Sequence, residues 1–238
     1  MSRAASVLRP TVAPSAARSQ ELPRRGEAWL TAGVFVAAVL FQLPLRTRWL
    51  ALLDEGYILA IADDVNRGQV LYRDVTIDAP FPLAFHLLAA WFRLTETSIA
   101  SSRWLATLVF AGYATALFRV SRTVLSRGWA LGFAVVVLCY RVWAFPHWQI
   151  YSYSMVAATL AVLAAALVGR SERVRATAPL AAAGLAAGAA IMAKQDYGGS
   201  VAVALTVALV LLPWLRAGEK GATLARLRAP FVFMLAGA

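Results

Sequence analysis

The sequence is poor in charge, in cysteine and in histidine. Charged residues make up 15% of its 238 residues, whereas 61% are hydrophobic and the mean hydropathy is +0.66. A soluble domain is closer to half apolar and about a quarter charged, so this composition excludes a soluble enzyme with one ordinary core. It also excludes a disordered or nucleic-acid-binding protein, because such chains are built from polar and charged residues. The single cysteine permits no intrachain disulfide, and two histidines predict no metal cluster.

Apolar runs recur along the chain at the length that a bilayer requires. A hydrocarbon core about 30 Å thick needs about 20 apolar residues in a helix. Residues 1–27 have no such run and are predicted to form a disordered basic tail ahead of a transmembrane module over 28–238. The expected spans, the first of them an uncleaved signal anchor, lie at about 28–45, 99–118, 128–146, 150–168, 177–193 and 199–215.

Two features of these runs carry further expectations. Ala181, Gly184 and Gly188 have a small-xxx-small spacing, which predicts close helix packing and no site. A seventh run begins at Pro230 and continues for only about nine residues, which is too short to cross a bilayer. The sequence therefore predicts an N-terminal fragment, truncated at its C-terminus.

The basic residues decide whether the short apolar stretch 80–94 crosses the membrane. If it does not cross and the N-terminus is cytoplasmic, 15 of the 23 basic residues lie in cytoplasmic segments; if it crosses, ten of those 15 move outside. Lys and Arg collect in cytoplasmic loops, so we expect 80–94 to lie along the outer face as an interfacial helix. The predicted fold is an all-α polytopic protein of the cell (inner) membrane, with about six full transmembrane helices and a truncated seventh.

This topology makes residues 46–98 a long first external loop. Tyr57, Ile61 and Val65 share one face of a helix in its first half, and Gly68 fits a helix stop. The loop is therefore expected to hold two interfacial juxtamembrane helices. It concentrates more than half of the 12 acids of the chain, namely Asp54, Glu55, Asp63, Asp64, Asp74, Asp78 and Glu96.

Two further segments, 145–154 and 192–199, are predicted on the same side, and together with the loop they suggest a site at the external interface. Each component also has a simpler interpretation. Asp54 and Glu55 fit the solvated start of a helix, and Lys194 fits a snorkelling lysine. His147 fits a solvated loop histidine, while the nearby aromatic residues Trp143, Trp148 and Tyr151 fit a membrane-interface belt. Charges near or within spans, here Arg103 and Arg141, are costly and therefore functional candidates.

The loop pattern resembles the GT-C membrane glycosyltransferases, in particular the protein-mannosyltransferase and aminoarabinose-transferase-like branch that includes bacterial lipopolysaccharide sugar transferases. The similarity extends from about residue 28 to the end. It is carried by Asp54-Glu55-Gly56-Tyr57, by Gly68 through Asp74, by Pro80-Phe81-Pro82 and by Lys194-Gln195-Asp196-Tyr197-Gly198. Members of this branch usually have several more spans than this chain.

The resemblance implies an inverting transfer of a sugar from a polyprenyl-phosphate donor to an acceptor hydroxyl on the extracytoplasmic face. Asp54 would be the base, and Glu55 beside it would orient a substrate or raise the pKa of the Asp54 carboxyl. The implied phosphate- and substrate-binding residues are Arg73, Lys194, Arg103, Arg141, His147, Tyr72, Gln195 and Asp196. Whether protein cations or a divalent cation neutralise the phosphate stays open. The implied partners are a lipid-linked donor, membrane lipids and a glycan, lipid or protein acceptor, with no nucleic acid.

A transporter or flippase fragment is the alternative function. Transporters tend to show repeated halves and broken helices with ionisable residues near the bilayer midplane. The sequence shows no repeat, and Arg141 is the only charge well inside a predicted span, which favours the transferase.

Overall fold

The computed structural model describes residues 24–48, 52–77, 82–144, 149–174, 176–216 and 223–238. These residues are 83% helical and contain no strand. The helices are α1 (Arg24–Gln42, followed by a 3-10 turn at Leu43–Leu45), α2 (Leu52–Asn66), α3 (Pro82–Leu94), α4 (Ile99–Ser121), α5 (Arg127–Trp143), α6 (Tyr153–Val174), α7 (Ala178–Ala193), α8 (Gln195–Arg216) and α9 (Thr223–Gly237).

Among the described residues, three helical segments are long and apolar enough to cross a membrane: Gly26–Leu45, Ile99–Ser121 and Tyr153–Val174. Shorter apolar helices lie in α3, α7, α8 and α9. These are the features of a helical membrane protein. The six runs expected to span coincide in sequence with α1 and α4 to α8, and the seventh run falls in α9.

Small residues allow the close packing of α7 against α9. A methyl group at Gly184 would overlap the carbonyl oxygen of Phe233 and lie 3.0 Å from Ala236 Cβ, and one at Gly188 would overlap the carbonyl oxygen of Gly237. The expectation of close packing at these glycines is confirmed. The sequence did not indicate that the partner would be α9, the short apolar run at the end of the chain.

Helices α2 and α3 lie together over one end of the bundle, which we call the α2–α3 end. The buried face of α3 carries Ala84, Phe85, Leu88, Ala89 and Phe92. These residues share one hydrophobic core with the buried face of α2, with the first turns of α4 and α6, and with the end of α7. The first loop therefore contains the two short helices that the sequence predicts.

The buried face of α2 differs from the predicted one. Ile58, Ile61, Ala62 and Val65 are buried, whereas Tyr57 is 44% exposed. Of the apolar face that the spacing predicts, Ile61 and Val65 are therefore buried, whereas its first residue, Tyr57, is exposed. Apolar residues at both 57 and 58 fit the helical period, and packing against α3 and α4 selects Ile58.

Candidate functional site

The two carboxylates at the start of α2 have opposite environments. Asp54 and Glu55 both lie in the first turn, but Asp54 is exposed whereas Glu55 is only 1% exposed. Consecutive residues on a helix point about 100° apart, so one faces out while the other faces the bundle. The described part of the chain holds no hydrogen bond or ion pair to the Asp54 side chain.

Glu55 forms a buried, two-pronged ion pair with Arg103 of α4. The Arg103 Nε donates to Glu55 Oε1 at 2.7 Å, and its Nη2 donates to Oε2 at 2.7 Å. The same guanidinium donates from Nη1 to the carbonyl oxygens of Arg46, at 2.9 Å, and Arg48, at 3.4 Å. Arg103 thus ties α2 to α4 and to the chain after α1. In this arrangement Glu55 and Arg103 position Asp54, and both oxygens of Glu55 are already occupied.

A buried stripe continues from this pair along α4, and we call it the polar stripe because two of its three residues are polar. Arg103, Thr107 and Phe110 lie on one face of the helix at spacings of four and three. Thr107 donates its hydroxyl to the carbonyl oxygen of Arg103 at 2.8 Å, and its own carbonyl oxygen accepts from Gln42 Nε2 at 3.3 Å. Arg141 of α5 lies against Phe110, with its Cζ 4.2 Å from the ring centroid. From Arg103 to Phe110 the stripe is about 10 Å long.

The Arg141 guanidinium is buried, and no polar partner for it occurs in the described ranges. Arg141 is only 1% exposed. None of its three guanidinium nitrogens has a hydrogen-bond acceptor among the described residues. The amide oxygen of Gln42 is likewise buried and unpaired there. An unpaired buried charge is strongly unfavourable, whereas one that meets an anion is not. Arg141 therefore has the chemistry of an anion-binding group, and the sequence had singled it out as an intramembrane charge.

Tyr72 and Arg73 lie in a tight turn after α2. The Arg73 guanidinium pairs with its neighbour Asp74, Nη2 to Oδ2 at 2.8 Å, and its side chain is 71% exposed. The same Asp74 carboxylate accepts the Val70 N–H at 2.9 Å. The Arg73 guanidinium and the Val70 N–H together lower the pKa of Asp74 to about 2. Arg73 thus has a carboxylate partner in the turn.

The Lys194-Gln195-Asp196 segment joins α7 to α8 at the α2–α3 end. Lys194 Nζ is 3.8 Å from Asp196 Oδ2 and 5.8 Å from the centroid of the Tyr153 ring. Gln195 and Asp196 are exposed in the first turn of α8. Ala193, immediately before them, is packed in the same core as α2 and α3.

Residues 149–152 also join this end of the bundle. Tyr151 is 1% exposed, and its hydroxyl donates to the carbonyl oxygen of Ala84 in α3 at 2.9 Å. The membrane-belt interpretation of Tyr151 was therefore wrong, because this side chain is buried and anchors α3. Gln149 is buried as well, and its Nε2 has no acceptor in the part of the chain that the structure describes.

One hydrophobic core thus joins α2 from Ile58 onward, α3, Tyr151 and the end of α7, while Glu55 ties the start of α2 to Arg103 of α4. His147 and Trp148, Asp78, and Pro80 and Phe81 lie outside the described residues. Gln42, Thr107 and Tyr151 are polar parts of this region that the sequence patterns did not indicate. Gln42 is a polar residue at the end of an apolar run, which is a signal that could have found it.

No group of three or more His, Cys, Asp or Glu residues able to hold a metal ion occurs among the described residues. The polar groups on which a function can be argued include the exposed carboxylate of Asp54, the buried Glu55–Arg103 pair and the buried guanidinium of Arg141, which has no acceptor among the described residues. Within its described ranges the chain is all-helical, has three helices of membrane-spanning length and carries these polar groups on its helices. No family model, curated protein or solved structure matches the chain.

Proposed function

We propose that the chain is an integral membrane glycosyltransferase that moves a sugar from a polyprenyl-phosphate donor to an acceptor hydroxyl. The observation that carries the proposal is the division between two neighbouring carboxylates. Glu55 is locked to Arg103, and this pair fixes a helix whose adjacent Asp54 keeps an exposed carboxylate. A base needs such a carboxylate, held in position but open to a substrate. The resemblance of the loop motifs to GT-C enzymes supports the same role.

In the proposed reaction the acceptor oxygen attacks the anomeric carbon of the donor sugar. The bond from that carbon to the phosphate oxygen breaks, the configuration inverts, and the phosphate leaves on its lipid with the bonding electron pair. Asp54 takes the proton of the acceptor hydroxyl as the new bond forms. A positioned base of this kind contributes about 10²–10⁴-fold to a rate.

Arg141 is the proposed contact for the departing phosphate. Its buried guanidinium has no acceptor in the part of the chain that the structure describes, and arginine binds phosphate with two parallel hydrogen bonds. Burial strengthens this attraction, because the local dielectric is lower than in water. Lys194 at the α7–α8 turn is a second candidate, since a lysine makes a point contact with phosphate. A divalent cation bound by the phosphate oxygens would serve the same purpose.

The proposed setting is the cell membrane, with the N-terminus in the cytoplasm and the α2–α3 end outside. It rests on the bias of Lys and Arg toward the segments at the other end. A lipid-linked donor would enter sideways from the bilayer, which suits a chain that is 61% hydrophobic. The acceptor would be a glycan, a lipid or a protein that approaches the α2–α3 end.

The test compares Asp54→Asn with Asp64→Asn, a second carboxylate of the same helix, in membranes that contain the chain at matched amounts. Each is supplied with a radiolabelled polyprenyl-phosphate sugar pool, and transfer to acceptor is measured. We expect Asp54→Asn to lower transfer by about a hundredfold or more, with unchanged membrane insertion, and Asp64→Asn to retain it. Equal activity in the two variants would remove Asp54 from the role of base.

A further inference from the structure

A cavity separate from Asp54 lies between the end of α2, the turn that follows it, and α3. Its volume is about 300 Å³, and its polar lining consists of Gln69, Tyr72, His86 and Arg93. From Asp54 to Val65, which also lines the cavity, α2 rises about 16 Å. The cavity is therefore too far from Asp54 to be part of the same reacting centre.

The wall of this cavity is fixed by an unusual turn. Tyr72 has a φ of +68° and Gly68 a φ of +93°. A left-handed conformation is uncommon for tyrosine, and such outliers persist where the surroundings hold them and often mark functional sites. Here the Tyr72 N–H donates to the carbonyl oxygen of Val75 at 2.9 Å, and Asp74 clamps the Val70 N–H at 2.9 Å. The turn therefore presents Tyr72 to the cavity in a preformed position.

The lining has the chemistry of an anion site. His86 and Arg93 are seven residues apart on α3, so they share its exposed face, opposite the face that packs in the core. Among the described residues, no Asp or Glu lines the cavity. No described carboxylate forms an ion pair with Arg93. Arginine, imidazole, a phenol hydroxyl and an amide together are typical of a phosphate-binding site.

We propose that this cavity binds a phosphate group, with Arg93 as its charged contact and His86, Tyr72 and Gln69 as hydrogen-bonding partners. The apolar part of the lining, which includes Val65 and Leu71, would contact the moiety that carries the phosphate. A volume of about 300 Å³ is at the lower limit for a ligand pocket, which suits one headgroup or one small phosphate ester. The site does not depend on glycosyl transfer, because it contains neither Asp54 nor the proposed phosphate contacts Arg141 and Lys194. Tyr72 is the one cavity residue that the resemblance also implies as a substrate contact.

The test is a binding measurement on the full chain in uncharged detergent. One arm titrates inorganic phosphate, and the other titrates phosphatidylglycerol in mixed micelles, with phosphatidylcholine as the lipid lacking net charge. The variants are Arg93→Gln and His86→Gln. The matched control is Arg67→Gln, which removes an exposed arginine at the same end of the bundle but outside the cavity. Arg93 and His86 are exposed, so far-ultraviolet circular dichroism should show unchanged helix content.

We expect Arg93→Gln to weaken phosphate or phosphatidylglycerol binding about tenfold to a hundredfold, and Arg67→Gln to change it less than twofold. A response to phosphatidylglycerol alone would identify a lipid headgroup as the ligand, and a response to inorganic phosphate alone would identify a soluble phosphate ester. The proposal fails if neither probe binds the unaltered chain, or if Arg67→Gln and Arg93→Gln weaken binding equally.

Discussion

Replacing Glu55 with glutamine tests whether this residue serves the structure and Asp54 the chemistry. The substitution removes the charge that faces the Arg103 guanidinium, whose side chain is 7% exposed. Breaking a buried ion pair by removing one partner costs about 3–5 kcal/mol of unfolding free energy. Arg103 keeps its bonds to the carbonyl oxygens of Arg46 and Arg48, so we expect the lower end of that range, about 3 kcal/mol. Asp54→Asn, at an exposed position, should cost no more than about 0.5 kcal/mol.

The assay is reversible unfolding of the purified chain in detergent micelles by added sodium dodecyl sulfate, followed by circular dichroism. The double variant Glu55→Met/Arg103→Met should recover most of the loss, because an apolar pair of similar size avoids the desolvation of both charges. Two results would contradict a stabilising role for the Glu55–Arg103 pair. One is a loss below about 0.5 kcal/mol in Glu55→Gln; the other is a double variant less stable than Glu55→Gln alone.

Three further results follow from the packing and the polar stripe. Gly184→Ala should lower the unfolding free energy by about 1–3 kcal/mol, because the added methyl group overlaps α9. Gly132→Ala in α5, where a methyl group meets no atom within 4 Å, should cause no loss in the same unfolding assay. Arg141→Met should raise the unfolding free energy by about 1–3 kcal/mol and abolish transfer, whereas a structural arginine would lower stability when replaced. With the native cysteine removed, Asp64→Cys and Asp196→Cys should both react with a membrane-impermeant thiol reagent added from outside; labelling of only one would contradict the proposed topology.

Much of the helix layout could be predicted from local signals in the sequence. Apolar runs of fixed length located the long helices, and Gly68, with its φ of +93°, marks the end of α2 as expected. The ends of the long helices could not be predicted as well. The α6 helix continues to Val174, six residues beyond the predicted end, because polar residues extend it past the apolar run.

The site was less predictable because its chemistry depends on distant partners. Sequence patterns could not show that Asp54 is exposed and Glu55 buried. Adjacent residues of a helix point in different directions, and the partner of Glu55, Arg103, lies 48 positions away in the chain. The sequence suggests Arg73 as a phosphate contact, but in the structure its guanidinium forms an ion pair with the neighbouring Asp74. The sequence shows Arg141 as a charge within an apolar run. Only the structure shows that its guanidinium has no partner among the described residues.

The proposed transferase must consume a lipid-linked sugar. The most direct measurement is the release of free polyprenyl phosphate from a series of polyprenyl-phosphate sugars by membranes that contain the full chain, with membranes lacking it as the control. We expect one donor to be consumed, and each polyprenyl phosphate released to match one sugar gained by an acceptor. If none of the donors is consumed while the protein is correctly inserted, the result contradicts the transferase and favours a transporter.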